Sequence, residues 1–218
     1  LPRQPGATKM LVNPCMQASG TVGNSEKKRD RYVTDEEYKA VYKHAGTQVR
    51  LLMDLTYRTL QRPESDIIKW TSAVITRDEH THARILKFEQ SKTRATVKIA
   101  LNPELESLLR RAIGEPPRIG VPLVHTRSNK GYTYSGIMAM LTAARQKANR
   151  ERAEQGKPLI PAFGFRDLKG KGATDMWRSG VAIERIQLLC GHANKATTEK
   201  YIKARWKETA EANQVTMK

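Results

Sequence analysis

The chain has 218 residues, of which 39 are Lys or Arg and 22 are Asp or Glu, so its formal net charge is +17 at pH 7. Hydrophobic residues make up 39% of the sequence, which is enough for a sizeable core and excludes a long disordered chain. No apolar run approaches the ~20 residues that span a bilayer, and the basic excess indicates a polyanionic partner such as nucleic acid.

The first residues, LPRQPGATKM, lack the basic region and apolar stretch of a signal peptide and do not begin with Met. We therefore expect a fragment of a longer protein. Cys15 and Cys190 are far apart in the sequence, so they form neither a disulfide framework nor a CxxC metal pair. This cysteine usage favours a reducing compartment, and we expect a cytoplasmic location with no membrane partner.

Residues 1–32 are rich in Pro and Gly and include a basic run at Lys27, Lys28, Arg29 and Arg31. Because Pro and Gly break helical and strand periodicity, this segment is predicted to be a linker. It is either a solvated tail or a hinge from a preceding N-terminal domain that lies across a DNA backbone.

Regular structure is predicted from Thr34, since Thr34 and Glu37 have the spacing of a helix capping box. The later helices are predicted over residues 47–60, 102–114, 134–154, 166–179, 183–189 and 197–207. Alternating patterns predict strands over residues 73–76, 83–88 and 96–101, with a polar turn at 90–94. The predicted fold class is therefore mainly α with one small antiparallel β-sheet.

A motif near the C-terminus points to a specific chemistry. Residues 188–192 read LLCGH, and Tyr201 follows nine residues after His192, within TTEKYI. This stretch resembles the LLGH…TTxxYxx signature of the tyrosine recombinases, the phage integrase family, although Cys190 stands where Leu or Gly is usual. The resemblance implies that Tyr201 attacks the scissile phosphate of DNA and that His192 contacts that phosphate.

A second motif resembles the family's first catalytic motif in chain order. Residues 59–66 read TLQRPESD and resemble the TGxRxSE/D box, which implies that Arg62 is the first catalytic arginine. Leu60 stands where Gly is usual, and the acidic Asp66 comes one position later than usual. This shift leaves two interpretations of Asp66 open: it belongs to the site, or it only supports a neighbouring helix.

Two further boxes follow in the family's order. Residues 91–93, SKT, resemble the β-hairpin lysine of the family, which implies that Lys92 is the general acid. Residues 166–169, RDLK, occupy the HxxR box, with Arg166 in place of the His and Lys169 in place of the second Arg. Lys171 is an alternative source of the charge. Positions 169 and 171 point about 200° apart on a helix, so the two lysines cannot both serve one phosphate.

These residue types suit phosphoryl transfer without a cofactor. Guanidinium groups bind phosphate oxygens bidentately, and positive charge stabilises the transition state. A tyrosine phenol with a pKa near 10 needs such cations to act as a nucleophile. The 5′ oxygen that leaves needs a proton, which a lysine with a lowered pKa supplies. The sequence has no Walker A or GxGxxG motif, and we expect neither a cofactor nor a metal.

The other histidines are assigned to structure. His80 and His82 lie beside Asp78 and Glu79 in a predicted hairpin loop, which is either a weak cation site or, as we expect, a solvated turn. His125 follows a predicted apolar stretch and resembles a structural residue of the family. His44 lies near a helix end, where a positive charge is favourable.

The resemblance implies a site-specific integrase that binds double-stranded DNA attachment sites as a homotetramer. Residues 33–207 would form the catalytic domain, and residues 208–218 a tail that docks on a neighbouring protomer. An excisionase or a DNA-bending protein is an implied partner. Two alternatives stay open: a type IB topoisomerase-like enzyme that relaxes one duplex, and a DNA-binding protein that kept the fold but lost catalysis.

Overall fold

The computed structural model describes residues 31–203, apart from the side chains of Lys200, Tyr201 and Lys203. The elements in chain order are α1 (Asp35–His44), α2 (Thr47–Thr59), β1 (Ile75–Arg77), β2 (Arg84–Glu89), β3 (Thr96–Ala100), α3 (Pro103–Ile113), α4 (Tyr134–Glu154), α5 (Phe165–Arg178), α6 (Ile183–Cys190) and α7 (Lys195–Lys203). Within this part of the chain, no helix combines the length and apolar character that crossing a membrane requires. The predicted fold class, mainly helical with one small antiparallel sheet, is confirmed.

The capping box predicted at the start of α1 is present. The Thr34 hydroxyl accepts the backbone N–H of Glu37 at 3.2 Å, and the Glu37 carboxylate accepts the backbone N–H of Thr34 at 2.9 Å. Both donors belong to the first turn, which has no intrahelical partners for them. The helix then packs on α4, where the His44 ring meets Glu151 at 2.7 Å.

Helix α2 lies at the centre of the core. Val49, Leu52, Met53 and Leu55 are at most 1% exposed. Helix α5 packs against α2 so closely that a Cβ at Gly172 would collide with the backbone carbonyl of α2. This close approach fixes the position of α5, which carries one of the sequence motifs, relative to the loop that leaves α2.

The three strands form an antiparallel sheet in the order β1-β2-β3. Leu86 and Phe88 of β2 face the core and pair in register with Ile99 and Val97 of β3. The strand predicted over 73–76 is wrong in its bounds, since residues 72–74 form a 3₁₀ turn and β1 begins at Ile75. The Thr71 hydroxyl accepts a backbone N–H at 3.3 Å and so starts that turn, a local bond that strand alternation does not reveal.

Helices α6 and α7 close a second, smaller core. It is formed by Leu60, Ala173, Ile186, Cys190 and Ile202, each at most 1% exposed. The helix predicted over 197–207 begins two residues earlier, at Lys195, and residues 204–207 lie outside the described residues. The predicted tail at 208–218 and residues 1–30 of the predicted linker also lie outside them.

Candidate active site

Arg62 lies in the loop that leaves α2. Leu60 ends the helix in a left-handed conformation with a φ of 54°, which turns the chain sharply towards Arg62. The Arg62 side chain is 21% exposed, and its Nη1 atom is buried without a hydrogen-bond partner in residues 31–203. The nearest carboxylate oxygen, Oδ2 of Asp66, is 4.0 Å away and is likewise buried and unpartnered. A guanidinium nitrogen that is buried without a hydrogen-bond partner favours an anionic ligand.

Asp66 links this loop to the β2–β3 turn. Its Oδ1 accepts the backbone N–H of Ser91 at 2.9 Å, and the Ser91 hydroxyl donates to the Ser65 carbonyl, also at 2.9 Å. Asp66 is 3% exposed, so its bond to Ser91 is largely shielded from water, whereas the bond between Ser91 and Ser65 is exposed. Asp66 therefore holds the Arg62 loop against the turn that carries Lys92.

Lys92 lies at the tip of that turn. Its side chain is exposed and makes no hydrogen bond or ion pair within the described part of the chain. The turn itself is well defined, because the backbone N–H of Gln90 donates to the Ala95 carbonyl and that of Arg94 donates to the Gln90 carbonyl, both at 2.9 Å. A long cationic side chain on a rigid turn can reach a ligand bound beside Arg62.

Lys169 lies on the buried side of α5. It is 5% exposed and forms no ion pair or hydrogen bond among the residues described. Burial lowers the pKa of its ammonium group, and the nearby Arg62 charge acts in the same direction. The Asp66 and Glu64 carboxylates partly offset these effects, and a bound phosphate would further relieve the repulsion between Lys169 and Arg62.

Lys171 faces the other side of α5. Its ammonium group binds the carboxylates of Asp175, at 2.8 Å, and of Asp35. Burial alone would lower its pKa, but these hydrogen bonds outweigh burial and raise it. The alternative that Lys171 supplies the site's charge is therefore not supported, because its charge is neutralised by two carboxylates.

Arg166 lies in the first turn of α5 and is exposed. Its side chain is 71% exposed and forms an ion pair with Glu64, at 2.5 Å from Nη2 and 2.6 Å from Nε. The other Glu64 oxygen, Oε2, is buried without a partner in the described residues. Arg166 thus lies beside the Arg62 loop but is held by a carboxylate.

His192 follows α6, which ends at Gly191 with a φ of 66°. Its Nδ1 lies 3.0 Å from the Thr198 hydroxyl, and the Gln187 side chain donates to its backbone carbonyl at 2.9 Å. Burial, and then the charges of Lys169 and Arg62, lower the pKa of His192 to about 4 from 6.5. His192 is therefore near both cations and is neutral at pH 7.

Tyr201 lies in α7, but its side chain is outside what the structure describes. The next residue, Ile202, is 1% exposed and packs in the small core with Leu60 and Cys190. This contact anchors α7 to α6 and to the end of α2. The structure therefore brings together Arg62, Lys169 and His192, sets the turn of Lys92 and Arg166 against the same loop, and describes only the backbone at Tyr201.

The remaining histidines have structural contacts. His125 is 7% exposed, and its backbone N–H donates to the Gln48 side chain at 3.0 Å. Asp78 accepts the backbone N–H groups of His80 and Thr81, both at 3.1 Å, and so caps the β1–β2 turn. Across residues 31–203, no group of three or more His, Cys, Asp or Glu side chains is arranged to hold a metal ion.

Sequence reasoning missed two buried glutamines beside these residues. Gln61 and Gln90 are both 0% exposed, and their side-chain amides bond to each other at 2.6 Å. A signal for Gln90 was present, because the inward positions of β2, Leu86 and Phe88, continue by alternation to position 90. A polar residue on an otherwise apolar strand face indicates a buried hydrogen-bonded role.

Both the sequence and the fold of the chain resemble those of known proteins. The sequence model of the Phage integrase family matches residues 31–208. A lambda integrase tetramer bound to a Holliday junction has a TM-score of 0.63 and 18% identity, with 84% of this chain and 51% of that chain covered. The Tn1549 transposon integrase in complex with a circular intermediate DNA has a TM-score of 0.61 and 14% identity, with 82% and 63% covered. XerA recombinase has a TM-score of 0.59 and 19% identity, with 79% and 58% covered.

The chain spans less than two thirds of the length of each of these solved proteins. The TM-scores of 0.59 to 0.63 show a shared fold, and at identities below 20% the likeness is one of fold alone. No curated protein has significant sequence similarity to the chain. The family match covers well over half of the sequence, and the chain belongs to the phage integrase family, the tyrosine recombinases.

Proposed function

We propose that the chain carries the catalytic domain of a site-specific integrase that cleaves and rejoins DNA through a 3′-phosphotyrosyl link at Tyr201. The observation that carries this proposal is the convergence of Arg62, Lys169 and His192 from three separate segments of the chain. The Arg62 charge acts on both Lys169 and His192, and the Nη1 atom of Arg62 is buried without a hydrogen-bond partner in the described residues. Such a cluster suits the equatorial oxygens of a phosphodiester.

The proposed step transfers the phosphoryl group from the 5′ oxygen to the Tyr201 oxygen, and the phosphorus stays bonded to the 3′ oxygen of the other fragment. The Tyr201 phenol loses its proton to solvent, its oxygen forms a bond to phosphorus, and the bond from phosphorus to the 5′ oxygen breaks. The electron pair of that bond goes to the 5′ oxygen, which takes a proton from the Lys92 ammonium group. Because the phosphotyrosyl ester keeps the bond energy, rejoining needs no nucleotide cofactor.

The remaining cations hold the phosphate in this proposal. Arg62 donates through its planar fork, and Lys169 contributes a point charge whose lowered pKa reflects burial. Neutral His192 donates a hydrogen bond without adding a third charge. Arg166 exchanges its ion pair with Glu64 for the DNA backbone, since an exposed arginine that gains a phosphate loses little by leaving one carboxylate.

The proposed assembly follows the solved relatives. The lambda integrase structure contains a tetramer on a Holliday junction, which supports a homotetramer on two double-stranded DNA sites for this chain. Residues 1–32 would link the domain, at 33–207, to a core-binding domain, and residues 208–218 would dock on a neighbouring protomer. An excisionase or DNA-bending protein would assist, and the reaction would take place in the bacterial cytoplasm.

A nicked suicide substrate tests the proposal. It loses a short 3′-flanking oligonucleotide on cleavage, so the covalent protein–DNA adduct accumulates and is visible on a denaturing gel. We expect an adduct with the parent chain and none with Tyr201→Phe, while duplex binding stays nearly unchanged because only the nucleophilic oxygen is removed. An adduct in the Tyr201→Phe variant would contradict the proposal and leave Tyr132 or Tyr134 as nucleophile. Tyr134 is a poor candidate, because burial and the Glu64 charge raise its pKa to about 12.

Two further assays separate the alternatives. Recombination between two sites, with no relaxation of a supercoiled plasmid that lacks a site, is the result expected for an integrase. Relaxation without recombination would indicate a type IB topoisomerase-like enzyme. Duplex binding without any adduct would indicate a DNA-binding protein that has lost catalysis.

A further inference from the structure

The buried amides of Gln61 and Gln90 lie under the candidate active site and join three of its segments. Gln61 directly precedes Arg62, and Gln90 forms the base of the turn that carries Lys92. The Gln90 amide donates to the Gln61 side-chain oxygen at 2.6 Å and to the Cys190 carbonyl at 3.0 Å. The Gln61 amide donates to the Leu189 carbonyl at 2.6 Å.

Every hydrogen-bonding atom of the two side chains has a partner. The Gln61 amide also donates to the Thr59 carbonyl at 2.9 Å, and the Gln90 oxygen accepts the Thr93 hydroxyl at 2.5 Å. Backbone carbonyls can only accept, so the nitrogen of each amide must face them and the orientation of both amides is determined. The pair is therefore a rigid connection that cannot rotate to other partners.

Helix α6 is the fixed end of this connection. The carbonyls of Leu189 and Cys190 belong to its last turn, where backbone acceptors lack intrahelical donors. Gly191 follows, and a Cβ at that position would collide with the Gln90 amide, so the glycine provides the space that the amide fills. Cys190 packs in the small core at 0% exposure, which makes this helix end a firm anchor.

The free end is the β2–β3 turn. Lys92 makes no hydrogen bond or ion pair of its own in the described part of the chain, so the position of its side chain depends on the turn. The bond from Thr93 to Gln90 holds the turn on one side of Lys92, and the bond from Ser91 to Asp66 holds it on the other. Neither buried glutamine can contact DNA, because both are 0% exposed.

We infer that Gln61 and Gln90 are positioning residues that hold Lys92 where it can protonate the departing 5′ oxygen. The inference rests on the proposed function, since it assigns Lys92 the role of general acid. Displacement of a catalytic group by about 1 Å costs up to about 100-fold in rate. A pair that only stabilised the fold would change the unfolding transition without selectively changing the proton-transfer step.

The test compares two suicide substrates under single-turnover conditions with saturating protein. One has the natural 5′ oxygen at the scissile bond, and the other has sulfur there. A thiolate leaves without a proton, so cleavage of the sulfur substrate does not need a general acid. The parent chain should cleave both substrates, and Lys92→Ala should be slow on oxygen and close to the parent on sulfur.

Thr93→Val and Gln90→Met are the variants that test the pair. Thr93 is exposed, so its replacement removes the hydroxyl that holds the Gln90 amide without threatening the fold. We expect about 10-fold slower cleavage of the oxygen substrate for Thr93→Val and up to about 100-fold for Gln90→Met. Both should approach the parent rate on sulfur, and Thr93→Ser should restore the rate on oxygen.

Thr81→Val is the matched control. Thr81 is also an exposed threonine in a β-turn, and its hydroxyl bonds within the β1–β2 hairpin, away from the site. Its cleavage rate should equal that of the parent chain on both substrates. Thermal unfolding of each variant shows whether it is folded at the assay temperature. If Gln90→Met is unfolded there, Thr93→Val alone tests the positioning role.

The outcomes distinguish this inference from the proposed function. A parent rate for Thr93→Val on oxygen, or an equal loss on oxygen and sulfur, would overturn the positioning role while leaving the proposed function intact. A parent chain that forms no adduct with either substrate would overturn the proposed function and this inference with it. Slow cleavage of oxygen alone, with rescue by Thr93→Ser, supports the inference.

Discussion

Leu60 has a strained backbone conformation, and its buried side chain compensates for that strain. Its backbone is left-handed, with a φ of 54°, a conformation that costs a non-glycine residue about 1–2 kcal/mol. Its side chain is 0% exposed and packs in the small core between α5, α6 and α7. The family's usual Gly would avoid the strain, but it would leave a cavity beneath the loop that carries Arg62.

Replacing Leu60 by Gly should therefore destabilise the protein. Loss of a buried leucine costs about 2–5 kcal/mol, which exceeds the relief of strain, so we expect a net loss of about 1–3 kcal/mol. Leu60→Ala is the control, because it loses the packing and keeps the strain, and it should be about 1 kcal/mol less stable than Leu60→Gly. Urea unfolding measures both, and the reverse order of the two variants would contradict the role given to the left-handed turn.

His192 makes the stability depend on pH in a defined window. Its folded pKa of about 4 lies below its ordinary value of 6.5, so the unfolded chain binds a proton that the folded chain does not. This contribution to stability is complete above pH 6.5 and is lost as the pH falls towards 4. We expect the unfolding free energy of His192→Asn to change less between pH 7 and about 5 than that of the parent chain. Equal changes in the two proteins would show that His192 is not desolvated in the folded state.

Helix α5 places two lysines, Lys169 and Lys171, on opposite sides and in different surroundings. Lys169 faces Arg62 without a carboxylate partner, and Lys171 binds Asp35 and Asp175 on the opposite side. Positions two apart on a helix differ by about 200° in direction, which is why one lysine is placed at the site and the other staples α1 to α5. The two substitutions to alanine should have opposite effects.

Lys169→Ala should slow single-turnover cleavage by about 10²–10³-fold, the usual loss for one charge-stabilising donor. It should leave stability unchanged or slightly increased, because it removes a buried cation with no ion pair. Lys171→Ala should cleave near the parent rate but lose about 2–3 kcal/mol of stability, because the largely buried Asp175 loses its ion-pair partner and keeps the Tyr32 and Tyr57 hydroxyls. If instead Lys171→Ala slows cleavage and Lys169→Ala does not, the assignment of this motif is wrong.

At the scale of the whole molecule, the charge of +17 should control DNA binding. Protein cations that neutralise phosphates release counterions, so the logarithm of the binding constant falls with the logarithm of salt by about 0.9 per phosphate. For about 6–10 phosphate contacts, we expect affinity for a 30-base-pair duplex to fall about 10³–10⁵-fold between 50 and 200 mM salt. Fluorescence anisotropy measures the slope, and a flat response would contradict binding along a basic surface.

The elements that were predicted correctly depend on local chemistry. The capping box of Thr34 and Glu37, the long helix α4 and the β2–β3 hairpin are all encoded within one or two turns of chain. The start of β1 was misplaced because a side chain, the Thr71 hydroxyl, bonds to the backbone and forms a 3₁₀ turn first. Alternation of apolar residues does not register such a bond.

The motifs of the candidate site could be found in the sequence because the family resemblance rests on short runs of residues around Arg62, Lys92, Lys169, His192 and Tyr201. The hydrogen bonds and ion pairs that hold these residues in place could not be found in the sequence. The bond between Gln61 and Gln90 joins residues 29 positions apart, and the ion pair between Arg166 and Glu64 joins residues 102 apart. Nothing in the local pattern of a glutamine or glutamate states which distant atom it will meet.

The sequence by itself determined the family, the fold class and the order of the catalytic motifs, because these follow from local periodicity, short motifs and net charge. It left open which of Lys169 and Lys171 belongs to the site and whether Asp66 is more than a support. Tertiary packing decides where these side chains lie, because α5 lies directly against α2 at Gly172 and places Lys169 near Arg62, whose charge contributes to lowering the pKa of Lys169. The same packing buries Asp66 against the Lys92 turn, a contact made only when distant segments fold together.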